Sequence, residues 1–378
     1  MDTKLCITGL GVRGSPFINC YATADSAFGV YNGRLYPWGI GESATADYWT
    51  LRRQAVLFDV PESPIEIVGH DAERFLNKVF TRQVSKLRVG RAAYGLACVD
   101  DGGILMDGVL MRLEQDRFWY VQANGEFSPW LLAHRCGMEV IVRDPDSWVL
   151  QIQGPESLEI LERVCDQGAP ENFRYFDVRE CEMAGQRLLV SRTGWTGEVG
   201  FELYTLDPHI DGTILWKHLM QAGEEFGLIY SSLRSMQIRR VEAGILDYGT
   251  DMDRTMTPFQ AGLGKFVDLS KTDFIGKLAL AGADPRPLLY GIKCPASAPS
   301  YRAQVMWQGR TVGRIRSTAW SPLLECGVGY VCFAEPGDWL GRSVTVLTKG
   351  SELDGTVVSL PFYDADKRIP RGLDTMRP

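Results

Sequence analysis

The 378-residue chain has few histidines, no dense run of cations and no long apolar segment, and each shortage removes a class of function. Its four histidines, His70, His134, His209 and His218, are scattered, and its nine cysteines include no C-x-x-C pair. No metal site and no Ser-His-Asp set is therefore expected. A phosphate backbone demands clustered Lys and Arg to displace its counterions, and a chain of formal net charge −7 without such a cluster is not expected to bind nucleic acid. No uninterrupted apolar stretch approaches the length of a membrane span. The opening Met1-Asp2-Thr3-Lys4-Leu5-Cys6-Ile7 lacks the apolar core of a signal peptide. The cysteine count is odd, and several cysteines sit in apolar runs such as Leu96-Ala97-Cys98-Val99, which suits reduced, buried thiols. A cytoplasmic protein is expected.

What is present describes an ordinary globular chain, long enough for two or three cores, with 45% hydrophobic and 23% charged residues. The stretch to Glu42 reads as extended segments and turns. Helical spacing appears from Asp47 through Leu57, and again after Gly69-His70-Asp71, where Phe75, Leu76, Val79 and Phe80 form one stripe. Strands are predicted over 103–113 and 117–122 as a hairpin, over 148–153, 187–192 and 200–204. Helices are predicted over 157–164, 212–226 and 232–243. Beyond Ala283-Asp284-Pro285-Arg286-Pro287 the short β-rich runs separated by Gly and Pro predict a small all-β domain. Gly9-Leu10-Gly11-Val12-Arg13-Gly14 satisfies the dinucleotide pattern, but Ser15-Pro16 follows where a helix must open, and no acid stands near Arg34 to hold a ribose. That motif is rejected.

Four segments could carry chemistry. Asp107 stands in the apolar run Ile104-Leu105-Met106-Asp107-Gly108-Val109-Leu110, where an acid needs partners, a role or a wet face. In Gly194-Trp195-Thr196-Gly197-Glu198-Val199-Gly200-Phe201-Glu202-Leu203-Tyr204, Trp195 and Tyr204 offer flat faces and Glu202 offers paired acceptors. That set suits a planar heterocycle with N–H donors, and equally a hairpin with an aromatic turn. The helical run containing Arg239-Arg240-Val241-Glu242-Ala243-Gly244 could clamp a carboxylate or form local ion pairs. Gln153-Gly154-Pro155 ends a strand.

Together, in this order, these segments resemble the glycine-cleavage T-protein (aminomethyltransferase) family, anchored also by Phe58-Asp59-Val60 and Phe274-Ile275-Gly276. The resemblance implies an α+β fold, a three-domain cloverleaf around tetrahydrofolate with a C-terminal all-β barrel. The expected folate-binding domain 1 is 1–45 with 146–230, domain 2 is 46–145 with 231–283, and the barrel is 284–378. It further implies Asp107 as the essential strand aspartate and Glu202 as the pterin-binding acid. Tyr120 and Asn124 are implied to face folate from the neighbouring strand, with Trp195, Tyr204 and Arg240 completing the cofactor site.

The chain departs from the aminomethyltransferases of glycine cleavage at three places. Phe58-Asp59-Val60-Pro61-Glu62-Ser63 replaces their FDVSHM-like segment, Met106-Asp107 keeps only the second of two acids, and Trp195 replaces a tyrosine. Gly14-Ser15-Pro16-Phe17, Thr257-Pro258-Phe259-Gln260-Ala261-Gly262-Leu263-Gly264 and Leu360-Pro361-Phe362-Tyr363-Asp364 are closer in appearance to the dimethylsulfoniopropionate demethylase branch. That branch implies transfer of a methyl group from a small donor, a sulfonium being favoured, to nitrogen 5 of tetrahydrofolate. Tyr31 and Trp38 are candidates for a cation–π wall. Docking of a lipoyl carrier protein is not expected, and a homodimer stays open. The alternatives are aminomethyl transfer, folate-dependent O- or N-demethylation, and folate binding without catalysis.

Overall fold

A computed structural model describes residues 11–348 and 350–374. The first unit is a six-stranded sheet in the order Val178–Met183, Gln186–Ser191, Gly200–Thr205, Val149–Gln153, Val56–Val60, Ile229–Tyr230. Its strands pair antiparallel except the last, which runs parallel to Val56–Val60. The central strands Val56–Val60, Val149–Gln153 and Gly200–Thr205 are buried throughout because both faces are covered. Leu57, Ile152, Phe201 and Leu203 meet the helices Ser157–Val164 and Gly212–Gly223. The alternate residues Phe58, Val149 and Tyr204 face the second unit.

That second unit is a five-stranded antiparallel sheet, in the order Arg91–Cys98, Ile104–Glu114, Arg117–Gln122, Ser63–Val68, Ile141–Arg143. Leu110, Phe118 and Tyr120 pack under the helix Ala72–Val79, whose Phe75, Leu76 and Val79 form the expected stripe. Met111, Trp119 and Val121 turn the other way, onto the first sheet. The third unit is a closed six-stranded barrel, starting at Leu289–Cys294 and closed by Ser351–Val358, with Val305, Ile315, Val331 and Val346 in its interior. A separate aromatic hairpin, Ala27–Tyr31 with Arg34–Gly39, stands outside both sheets.

The expected domain spans need correction. Val56–Val60 lies inside the first sheet, so the chain crosses to the second unit at Pro61 rather than near residue 46. All five residues of Val56–Val60 are buried, Asp59 among four apolar ones, as suits an interior strand covered on both faces. Ile275 packs in the core of the second unit, consistent with the return of 231–283 there, but the segment after Val358 leaves the barrel. Gly9 and Leu10 lie outside the described residues. The remainder of the rejected dinucleotide motif leads into a four-residue helix, Ile18–Tyr21.

One helix, Leu233–Glu242, joins all three units. Its last residue, Glu242, is fully buried and accepts hydrogen bonds from hydroxyls on three separate parts of the chain. Tyr48 of the helix Ala44–Arg53 lies 2.9 Å from both carboxylate oxygens, the barrel's Ser321 is 2.5 Å from Oε1, and the tail's Tyr363 is 2.5 Å from Oε2. Removing a buried charge partner strands every group it satisfied. Glu242→Ala is expected to lower unfolding free energy by on the order of 3–5 kcal/mol, and Tyr363→Phe by about 1–2 kcal/mol. Guanidinium unfolding curves check both values.

Candidate functional site

Between the three units lies a cavity of about 1200 Å³. Its walls are the cavity-side strand residues of both sheets, the aromatic hairpin, the Gly194–Gly200 turn and the tail after Val358. Side-chain alternation places Asp107 and Val109 of Ile104–Glu114 on this wall, with Met111 further along the same face. Tyr94 of the adjacent strand donates from its hydroxyl to Asp107 Oδ2 at 2.7 Å, while Asp107 Oδ1 has no hydrogen-bond partner. Burial pushes the Asp107 carboxyl up to about 7, opposed by the Tyr94 bond and reinforced by the charge of Asp247.

Glu202 enters from the first sheet. Its Oε2 accepts from Thr193 at 2.5 Å and from Tyr204 at 2.7 Å, and its Oε1 accepts from the Gln151 amide at 3.0 Å. The same Gln151 nitrogen donates to Glu62 Oε1 at 3.2 Å, so one amide bridges two acids. Burial raises both, and the charge of Glu202 further raises Glu62, to about 8. Glu62 Oε2 has no partner. The turn after Ser191 passes so close to Gln153 that a Cβ on Gly194 or Gly200 would sit 2.2 Å or 2.4 Å from its amide, so only glycine fits there. Glu198 of that turn is held by Arg52 and Arg239, each at 2.7 Å, which locks Trp195 in the wall.

The expected residues do not all reach the cavity wall. Asp107, Glu202, Trp195, Tyr31 and Trp38 share the cavity wall. Tyr204 stands behind Glu202 and acts through its hydroxyl. Asn124 is exposed at the rim, where its Oδ1 accepts from Asn32 N at 3.2 Å. Tyr120 is corrected: it falls on the opposite face of its strand, fully buried, with its hydroxyl on the Gly95 carbonyl at 3.1 Å. Arg240 is also corrected. All three of its guanidinium nitrogens are satisfied within the protein, Nε by Gln237, Nη1 by Asp251 and the Ile245 carbonyl, and Nη2 by Ser317. It pins the helix to the barrel, with its guanidinium 5.0 Å from the Trp195 ring centre, rather than presenting a free donor to a cofactor.

Sequence reasoning missed Glu62, Gln151, Tyr94 and Asp247. Gln151 and Gln153 did leave a signal, because two glutamines at alternate positions of an otherwise apolar strand put polar groups on one buried face. The remaining cavity residues suit a reduced folate. The lining combines acids with unfilled acceptor sites, aromatic rings, and the cations Arg174, Lys265, Lys367 and Arg371, which could meet a carboxylate tail.

Comparison with known proteins agrees with this geometry. Residues 20–271 match the GCVT N-terminal domain, and residues 289–364 match the glycine cleavage T-protein C-terminal barrel domain. The chain is 33% identical over 334 residues to an aminomethyltransferase of Halothermothrix orenii, covering 85% of this chain and 91% of that one. It is 34% identical over 343 residues to an aminomethyltransferase of Streptomyces coelicolor, covering 86% and 91%. The crystal structure of glycine cleavage system aminomethyltransferase T from Bartonella henselae shares the fold, with a TM-score of 0.84 at 24% identity over 93% of this chain and 98% of that one. The chain belongs to the glycine-cleavage T-protein family of tetrahydrofolate-dependent one-carbon transferases.

Proposed function

We propose that this chain moves a methyl group from a small donor to nitrogen 5 of tetrahydrofolate, with a dimethylsulfoniopropionate-like sulfonium as the favoured donor. Tetrahydrofolate supplies nitrogen 5 as the nucleophile. Glu202, backed by Gln151, Thr193 and Tyr204, would receive the N–H edge of the pterin, and Trp195 would flank it. Holding donor and acceptor in line is worth about 7–11 kcal/mol of barrier, so these residues act chiefly by orientation.

The observation that carries the reading is the Asp107 carboxyl, fixed by Tyr94 through one oxygen and unpartnered at the other. An anionic oxygen there stabilises positive charge developing on the attacking nitrogen in a site of low dielectric. The hydroxyls nearest to it are poor acids. Burial and the neighbouring carboxylates hold Tyr31 and Tyr94 well above the ordinary tyrosine range, and no histidine lines the cavity. A leaving group that departs neutral, as a thioether does, needs no proton from them. Such a reaction also needs no lipoyl carrier protein. Aminomethyl transfer is the second reading, favoured by the aminomethyltransferase relatives that align along most of the chain.

Incubating the protein with tetrahydrofolate and a panel of dimethylsulfoniopropionate, glycine betaine, dimethylglycine and a methoxybenzoate, then weighing the folate product, separates the two. Methyl-tetrahydrofolate from one donor is expected; methylene-tetrahydrofolate formed only with an aminomethylated carrier would replace this reading with the second. Turnover is expected to fall as pH drops through about 7, because the Asp107 carboxyl then takes up its proton. Asp107→Asn should lower kcat by roughly 10²–10³ and abolish that acidic limb; full turnover by the variant would exclude the role. Stability runs the opposite way. The folded state holds the Asp107 proton up to about 7, whereas an unfolded aspartate releases it near ~4, so this residue's contribution is lost as pH rises through 7. Asp107→Asn should therefore melt higher than the native chain at pH 8 and not at pH 4, by calorimetry.

A further inference from the structure

The hairpin Ala27–Tyr31 with Arg34–Gly39 lays Tyr31, Tyr36 and Trp38 along one side of the cavity. Opposite them stand Asp107, Glu62 and Asp247, all three in the cavity wall. Burial first, and then the charges of Asp247, Glu62 and Asp107, hold the Tyr31 hydroxyl well above its ordinary range. Among the described residues, none of the three forms a salt bridge.

The cations nearest these acids form no salt bridge with them, although the charge of Arg34, whose Nη2 has no partner, opposes the upward shift of Glu62, and that of Arg240 opposes the shift of Asp247. Arg34 donates through Nη1 to the backbone carbonyls of Glu62 and Ser147, at 2.9 Å and 2.6 Å. Arg240 is paired with Asp251 at 2.5 Å rather than with Asp247. Asp107 is 7% exposed and keeps Oδ1 without a partner, and Glu62 keeps Oε2 without one. Buried carboxyl groups with no counter-ion are costly when ionised and hold protons instead. A cavity that combines such groups with aromatic faces is complementary to a desolvated cation that carries no hydrogen-bond donor of its own.

We propose that Glu62 selects a permanently cationic donor: together with Asp107 and Asp247 it forms a carboxyl-lined well against Tyr31 in which no carboxyl group is salt-bridged by the protein, and the donor's onium group fills that place. Entry of the cation favours the ionised carboxyl groups, so binding expels protons. The charged and titratable groups facing Glu62 are Glu202, Asp59, Arg34, Tyr31 and Tyr204, and of these only Arg34 is cationic. Burial and Glu202 raise Glu62 to about 8 and burial raises Asp107 to about 7, so cation affinity should climb with pH across that interval. The inference rests on the methyl-donor reading of the cavity, but its test reads binding and not turnover.

Isothermal titration at pH 7 in two buffers of different ionisation enthalpy would compare dimethylsulfoniopropionate with 4-methylpentanoate, its isostere with carbon in place of sulfur. The sulfonium should bind at least about tenfold more tightly and release protons, and its affinity should rise from pH 6 to pH 8 while that of the isostere stays flat. Glu62→Gln, with its fold checked by circular dichroism, should erase most of the preference and the upper part of the pH rise; Asp247→Asn should act in the same direction. Equal affinity for cation and isostere, no binding by either, or an unchanged preference in both variants would overturn the inference. Preferential cation binding without methyl transfer would leave it standing and count against the proposed reaction instead. Methyl transfer without a preference for the cation would do the reverse.

Discussion

The walls of the cavity are joined at one buried carboxylate, Glu242, which is shared by three parts of the chain. Its hydroxyl partners, Tyr48, Ser321 and Tyr363, come from an early helix, the barrel and the tail. The neighbouring residues on the same helix extend the joint, Arg239 to the Gly-rich turn through Glu198 and Arg240 to the barrel through Asp251 and Ser317. Buried ionic networks of this kind contribute little net stability compared with apolar packing, but they admit few alternative geometries. Here that restriction matters, because cavity-wall residues come from strands, turns and a tail that would otherwise be free to slide against one another. The tail is held in two further places, by Lys367 on the Ala243 carbonyl at 2.7 Å and by Arg192 on the Arg371 carbonyl at 3.2 Å.

The electrostatics of the cavity follow from where the cations are used. The arginines at the joint are each held in an ion pair, Arg52 and Arg239 on the same oxygen of Glu198 and Arg240 on Asp251, so they fix structure. What remains at the centre is a set of acids raised by burial, Asp107, Glu62, Glu202 and Asp247. Such an arrangement opposes an anion and favours any step in which positive charge arrives or develops. Of the cations in the cavity wall, Arg82, Arg91 and Arg192 are bonded to Tyr94, Asp177 and Phe173, while Lys265, Lys367, Arg174 and Arg371 could match a carboxylate-bearing tail. One elongated ligand with a donor-rich head and an anionic tail satisfies both regions.

Much of this was legible in the sequence, for identifiable reasons. Apolar alternation and turn residues located the hairpin at 104–122 and the helices at 157–164 and 212–223 closely, because each is decided by local pattern. Asp107, Glu202 and Trp195 were marked by a resemblance in motif order, and all three line the cavity. Tyr120 was misjudged because residues on one strand do not share a face; an odd separation from Val121, which does line the cavity, sends it into the core. Arg240 was misjudged because its partners, Asp251 and Ser317, are brought to it by folding across a domain joint. The assignment of Val56–Val60 to the wrong unit has a similar cause, since no local signal states which sheet an apolar strand enters. Glu62 stood in plain view after Pro61, and only the bridging amide of Gln151 shows what it adjoins.

In the proposed methyl transfer the two halves of the reaction would be built on different kinds of support. The folate side rests on interior strands of two packed sheets, with Glu202 held by three donors and Asp107 by Tyr94. Rigid elements of that kind hold reacting atoms in line, and changing them would disturb both cores. The donor side rests on a two-stranded hairpin that belongs to neither sheet and is tied down through Arg34 to Glu62 and Ser147, and through Asn32 to Ala123, Asn124 and Gly125. Its aromatic faces can therefore be altered without disturbing either core. The contact between Arg34 and the Glu62 backbone is where this adaptable hairpin is fastened to the fixed sheets, so a change of donor would call for changes on one side of that contact only.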